Sequence, residues 1–285
     1  MNRIKNYFDT AQLNFIDGIF WSKEKQKISY PEDGNETCFQ VEENSYWFQH
    51  RNRVIHYFIE KYNQDFLLDI GGGNGCVSLF LTKMGLDCIL LEPGTEGAIN
   101  AKKKGLNNVV CSTLEKSQIL SGHTPAAGLF DVLEHIENTK EFLGGIKSSL
   151  TSEGLIFLTV PAFQLLWSEE DVRAGHFKRY TISSVRKELI EAGFEIVDHN
   201  YFFVMLPIPI FFLRKMAGTF GKRFRENKKT EKQEHGINGG LIIRILKIIL
   251  KIEFFLIKKG VRLMMGSSLF IVAKKRNKHL LVQPF

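Results

Sequence analysis

Apolar residues recur along this chain in short runs separated by glycine, and the runs alternate between strand-like and helix-like periods. Phe66-Leu67-Leu68-Asp69-Ile70 is a strand-like run leading into Gly71-Gly72-Gly73-Asn74-Gly75, after which Val77 to Met84 reads as a helix closed by Gly85. Asp87-Cys88-Ile89-Leu90-Leu91-Glu92 is a second buried strand stopped by Pro93-Gly94, followed by a helix from Ala98 to Lys104. Val109-Val110-Cys111, Ala127 to Phe130, Gly154 to Val160 and Phe194 to Val197 supply further strands, with helices at Thr139 to Leu150 and Ser183 to Ala192. Strands alternating with helices at this pitch predict βαβ units, a mostly parallel sheet and helices on both of its faces.

This rhythm predicts a core over residues 61–200, preceded by a helical extension or cap over residues 1–60 that surrounds a turn-rich stretch, Tyr30 to Asn35. Residues 201–266 read as an apolar and basic helical insertion, and residues 267–285 as a last strand, Ser268 to Ala273, with a tail. The insertion opens with the apolar run Tyr201 to Leu213, continues through a charged link from Lys222 to Gly240, and ends in a predicted helix from Leu241 to Met265.

Charge sharpens the picture of that insertion. From Arg214 onward there are 18 basic against 4 acidic side chains, leaving 20 basic and 27 acidic for residues 1–213. The net charge of +7 therefore belongs to the C-terminal quarter. This argues against a core built to grip nucleic acid and for a basic appendage facing something anionic. In the helix from 241 to 265, Arg244, Lys247, Lys251, Lys258, Lys259 and Arg262 fall within one arc of about 120°, with Glu253 opposite among the apolar residues. Two readings stand: contact with an anionic membrane surface, or a lid or dimer helix with its bases in water. The buried acid favours packing. The four cysteines, Cys38, Cys76, Cys88 and Cys111, show no metal-ligand spacing, so no metal is expected. The N-terminus lacks the apolar stretch of a signal peptide, and a cytoplasmic protein, peripheral to the membrane in the first reading, is expected.

A strand, a glycine turn and a helix start together make a cradle for anionic groups. A dinucleotide fingerprint beginning at Gly71 would need a glycine where Cys76 stands. The chain has Asp69-x-Gly71-x-Gly73-x-Gly75 instead, with Glu92 at the tip of the next strand and Asp131-Val132-Leu133-Glu134-His135-Ile136 after the fourth. This set resembles the motifs of class I S-adenosylmethionine-dependent methyltransferases, over roughly residues 45–200, in the subgroup that includes quinone-biosynthesis O-methyltransferases.

The resemblance implies a Rossmann-like three-layer α/β sandwich, with a seven-stranded, mostly parallel sheet whose last strand is antiparallel. It further implies S-adenosylmethionine as cofactor: Asp69, Gly71, Gly73, Asn74 and Gly75 beneath its methionine part, and Glu92 with Pro93 at the ribose. Thr113 and Leu114 are the adenine candidates, Asp131 and Leu133 close over the cofactor, and His50 or Arg51 reaches its carboxylate.

Gly175-His176-Phe177-Lys178-Arg179-Tyr180 resembles a G-H-x-R-R-Y segment of bacterial methyltransferases, with Lys178 for the commoner arginine. His135 and His176 are the candidate general bases, Arg179 an anchor for an anionic acceptor group, and Tyr180 an orienting residue. An ion pair with Asp171 would explain the same segment as a structural clamp. The implied reaction moves a methyl group to a small-molecule or lipid-like acceptor. The rival classes are a nicotinamide-dependent oxidoreductase and a non-catalytic protein on the same fold.

Overall fold

The computed structural model describes residues 3–23, 45–205 and 241–276. The turn from Tyr30 to Asn35, Cys38, the apolar run beyond Met205 and the charged link from Lys222 to Gly240 lie outside these residues. The described elements in chain order are β1 (Leu13–Ile16), β2 (Ile19–Ser22), α1 (Tyr46–Lys61), β3 (Phe66–Ile70), α2 (Cys76–Lys83), β4 (Asp87–Glu92), α3 (Thr95–Lys103) and β5 (Val109–Cys111). They continue with β6 (Thr124–Phe130), α4 (Thr139–Ser149), β7 (Leu150–Pro161), α5 (Glu169–Arg173), α6 (Ile182–Glu191), β8 (Phe194–Phe202), α7 (Leu241–Lys258) and β9 (Ser268–Lys275).

One sheet carries the fold, in the order β1-β2-β5-β4-β3-β6-β7-β9-β8. Strands β2 and β5 through β7 run parallel through β4 and β3, while β9 lies antiparallel between β7 and β8. This is the expected Rossmann-like sandwich with two strands more than the seven expected. The additional pair is a hairpin, β1 with β2, in the stretch read from sequence as helical. Its turn is Asp17-Gly18, both with positive φ (51° and 78°), the geometry that matches the twist of a two-residue hairpin. Among the described residues of the first sixty, α1 is the one α-helix; Ser45 caps it by accepting the N–H of Trp47 at 3.2 Å.

Side-chain alternation along the strands builds two cores. Phe66, Leu68 and Ile70 of β3 face one layer with Ile156, Leu158 and Ile271, beneath α4 and α6. Leu67 faces the other with Phe157, Phe270 and Val272, where α1 contributes Val54, Ile55, Phe58 and Ile59. β8 extends to Phe202, so Tyr201 and Phe202 belong to the sheet and not to the insertion. α7 ends at Lys258, short of the expected Met265, where Gly260 takes a φ of 80°. Leu250, Glu253 and Ile257 seat α7 on the second core. Glu253 accepts the N–H groups of Phe203 and Val204 at 2.8 and 2.7 Å, and the ring N–H of His50 at 2.7 Å.

Candidate active site

The glycine turn leaves the C-terminal end of β3 at the centre of the sheet, where strand order reverses and α/β sheets open their ligand crevice. Gly71, Gly73 and Gly75 have φ of 73°, 55° and 70°, a left-handed conformation that side-chain-bearing residues enter only with strain. At the start of α3, a Cβ on Gly97 would lie 3.0 Å from the Gly73 carbonyl oxygen and 3.1 Å from Glu92, so glycine there lets the helix press against the cradle.

Two acids frame this cradle. Asp69 is fully buried; Ser78 donates to its Oδ2 at 2.6 Å, and its Oδ1 has no hydrogen-bond partner. Burial pushes its pKa up to about 6, against the opposing pull of Ser78 and Arg51. Glu92 accepts the Gly73 N–H on Oε2 and the Gly94 N–H on Oε1, both at 2.7 Å. Burial pushes it up to about 7 despite those two bonds. An unsatisfied buried carboxylate oxygen beside an open glycine cradle fits a ligand that brings an ammonium, and a carboxylate at a strand tip fits one that brings hydroxyls. The residues present therefore fit S-adenosylmethionine.

Both acids need their charge for that ligand, which gives a pH dependence. Their folded pKa values lie above the unfolded ones, so in the ligand-free protein they favour folding at low pH and lose that contribution as pH rises through about 6 to 7. Binding of a cationic ligand should then release protons below pH 7 and strengthen between pH 5.5 and 8. Calorimetry in buffers of different ionisation enthalpy reads the release directly; affinity that falls over this range would contradict it.

The other expected cofactor residues are placed unevenly. The side chain of Asn74 is 1% exposed and accepts from Asn100 at 3.0 Å, so it ties the turn to α3. Pro93 is half-buried at the tip of β4, and its carbonyl faces the Cys111 thiol. Thr113 is half-buried after β5, while Leu114 packs on the core beside Gly145. Leu133 is fully buried in the core, and its carbonyl accepts the Tyr180 hydroxyl. His50 is committed to Glu253, a correction to its expected place at the cofactor carboxylate. Arg51, the alternative candidate, lies beside Asp131. It pairs with Asp131 and lies over the rings of Trp47 and Phe48 at 4.9 and 5.0 Å. Thr159 donates to the other oxygen of Asp131 at 2.9 Å.

Beyond Asp131 the chain brings Glu134, His135 and His176 together, their polar atoms within 4.8 Å of one another. The two imidazoles meet edge to face at 4.7 Å. Burial first, then the neighbouring His176, lowers the pKa of His135 to about 4, so its ring is neutral at physiological pH. Burial and the Asp131 charge raise Glu134 well above the carboxylate range, and its Oε2 has no hydrogen-bond partner. With the guanidinium groups of Arg51 and Arg179 already acting on it, this group suits proton handling better than holding a cation.

The segment after His176 is built differently from its expected role. Arg179 donates through Nε and a terminal nitrogen to both oxygens of Asp171, at 2.8 and 3.0 Å, and to the Ala162 carbonyl at 3.4 Å. Its fork is occupied within the protein, which corrects the anchoring role in favour of the clamp. Tyr180 is 0% exposed, its single hydroxyl proton shared between the Leu133 carbonyl at 3.3 Å and Glu188 at 3.4 Å, so it orients the loop and not an acceptor. His176 Nδ1 donates to Asp171 at 2.9 Å, which fixes the ring against His135. Burial pushes Asp171 up, but hydrogen bonds from Arg179 and His176 outweigh it and bring it down to about 2.

Comparison with known proteins agrees with this geometry. Residues 43–199 match the family model described as a methyltransferase domain. No curated protein sequence matches the chain. Among solved structures, Haemonchus contortus phosphoethanolamine N-methyltransferase 2 in complex with S-adenosyl-L-methionine aligns with a TM-score of 0.54 and 14% identity over 88% of this chain. The chain spans only 59% of that protein. An S-adenosylmethionine-dependent methyltransferase from Archaeoglobus fulgidus aligns with a TM-score of 0.50 and 18% identity, over 81% of this chain and all (100%) of that one. The Haloferax volcanii complex of the Trm112 methyltransferase activator with a putative methyltransferase gives a TM-score of 0.56 and 11% identity, over 87% and 95%. With the family model spanning more than half of its residues, this chain belongs to the methyltransferase-domain family and has the fold of class I S-adenosylmethionine-dependent methyltransferases.

Proposed function

We propose that this protein binds S-adenosylmethionine in the cradle from Asp69 to Gly75 and transfers its methyl group to a nucleophilic oxygen or nitrogen of a partly hydrophobic acceptor. What supports the reading is the His135 imidazole, packed edge to face on His176 at 4.7 Å in the segment after Asp131 whose Val132 lies against Gly71 of the glycine turn, with burial favouring its neutral form. The bound cofactor supplies an electrophilic methyl on a sulfonium. The protein's part is to align the acceptor and take its proton, for which an unprotonated imidazole within the crevice is suited. His135 would take the X–H proton of an acceptor aligned with the methyl group, which the cofactor would supply with S-adenosylhomocysteine as the leaving group. Asp171 orients His176, which in turn packs against the base. A nicotinamide reading has nothing comparable in its favour, because Cys76 stands where the dinucleotide pattern needs glycine.

The test is S-adenosylhomocysteine production over a panel of phenol, amine and lipid-linked alcohol acceptors. His135→Ala should lower turnover by about a hundredfold or more while leaving cofactor affinity within about twofold. Because the base is neutral above about pH 5, the rate at saturating cofactor should hold a plateau down to that point and fall below it. No turnover on any acceptor, or full turnover by both His135→Ala and His176→Ala, would sink the assignment.

A further inference from the structure

The spacing of the bases left two readings of α7 open, contact with an anionic membrane surface or a lid or dimer helix with its bases in water. The structure divides the apolar residues of the helix into two stripes. Leu250, Glu253 and Ile257 are buried at 6%, 5% and 1%. Ile245, Ile248, Ile252 and Phe255 stand on the opposite side, 47%, 56%, 55% and 58% exposed. At 100° per residue these four occupy an arc of about 80°, and Arg244, Lys247, Lys251 and Lys258 fill the adjacent arc of about 60°. The turn after the helix continues the surface with exposed Lys259, Val261, Arg262, Met264 and Met265. The sole acid between residues 241 and 276 is Glu253, and it is buried.

We infer that this face docks the protein on an anionic lipid surface, as a helix lying in the plane of the interface. Exposed large apolar side chains in a continuous stripe mark an interaction surface, and free water does not account for them. The cations beside the stripe, of which Arg262 is partly offset by Asp198 at 3.8 Å, favour an anionic partner, and the apolar stripe favours one with a hydrocarbon layer beneath its charges. A second copy of the same face would oppose like charges. Among the described residues no helix is long and apolar enough to cross a membrane, so the contact is peripheral. The seat is firm, because Glu253 fastens α7 to α1 and to the end of β8 through three hydrogen bonds. His50 in that joint precedes Arg51, which holds Asp131, so the docked face lies one helix away from the transfer site. The inference stands on the surface alone and does not depend on the identity of the acceptor.

Flotation of the full chain with phosphatidylcholine vesicles, with and without about 30% phosphatidylglycerol, tests it at about 0.1 and 0.5 M salt. Binding should require the anionic lipid and weaken at high salt. Lys247→Glu/Lys251→Glu/Lys258→Glu should lower partitioning by about a hundredfold or more. Ile248→Ser/Ile252→Ser/Phe255→Ser should do so comparably, since it removes the inserted area. Both variants should keep the parent's circular dichroism and thermal midpoint, since none of these side chains is buried. Failure of the parent to float with anionic vesicles, or equal flotation of parent and both folded variants, would overturn the inference. So would a dimer that the serine variant dissociates while lipid binding is absent, which would assign the face to self-association.

Discussion

Replacing Glu92 with alanine should weaken S-adenosylmethionine binding by about two to three orders of magnitude. The Glu92 carboxylate does two things at once. It holds the Gly73 and Gly94 N–H groups at 2.7 Å, which sets the cradle's shape, and in the proposed complex its remaining lone pairs would accept the ligand's hydroxyls. Hydrogen bonds to a charged group contribute about 1.5–3 kcal/mol each, so losing the ligand-facing bonds together with the turn's support accounts for that loss. Glutamine should be nearly as damaging, because its NH2 group opposes one of the two backbone donors. Global stability should change less than affinity at pH 8, since burial already disfavours the ionised form there. Glu96→Ala, an exposed acid one turn further on, should bind normally. Equilibrium titration of the three variants checks this; wild-type affinity in Glu92→Ala would remove Glu92 from the site.

The second large effect is expected at Asp171, and on stability as well as activity. Asp171 is 1% exposed and accepts bonds from Arg179, His176 and Ser168. Asp171→Ala leaves the 13%-exposed Arg179 guanidinium without its counter-ion. Breaking a buried pair by removing one partner costs about 3–5 kcal/mol, so urea unfolding should report a loss of that size, with Asp171→Asn intermediate. Asp171 has a folded pKa near 2, below its unfolded value of 3.8. Its stabilising contribution is therefore complete above about pH 4 and lost as pH falls towards 2. In the Asp171→Ala protein that part of the acid dependence should disappear. Cofactor binding should survive where the variant remains folded, because the cradle lies on other strands. Turnover should fall as His176 loses its orientation. A stability loss below about 1 kcal/mol would show that the clamp is not what holds the loop.

What was legible in the sequence depended on how local its cause was. Asp69, Glu92 and Asp131 sit at strand ends, where the run of apolar residues and the following glycines place them without reference to the rest of the chain. The hairpin of β1 and β2 escaped notice because each strand has only four residues, although Asp17-Gly18 between apolar neighbours is a turn signal. The ion pair of Arg179 with Asp171, eight residues away, was legible as one of two readings of its segment, whereas the partners of Tyr180 are set by tertiary packing: Leu133 lies 47 residues from the Tyr180 hydroxyl that bonds it. His50 finds Glu253 across 203 residues, and no spacing rule reaches that far. In α7 the packing of Glu253 against protein was legible, but helical periodicity does not separate an apolar stripe that meets protein from one that stays exposed, and here the stripe with the buried acid meets protein.

The central claim is that the turn from Asp69 to Gly75 with Glu92 holds S-adenosylmethionine. Calorimetric titration of the full chain at pH 8 with S-adenosylmethionine, S-adenosylhomocysteine and NADH tests it most directly. The account predicts saturable one-to-one binding of the first two, lost in Glu92→Ala, and no heat with NADH. Silence with both S-adenosyl compounds, or saturable binding of NADH, would contradict it.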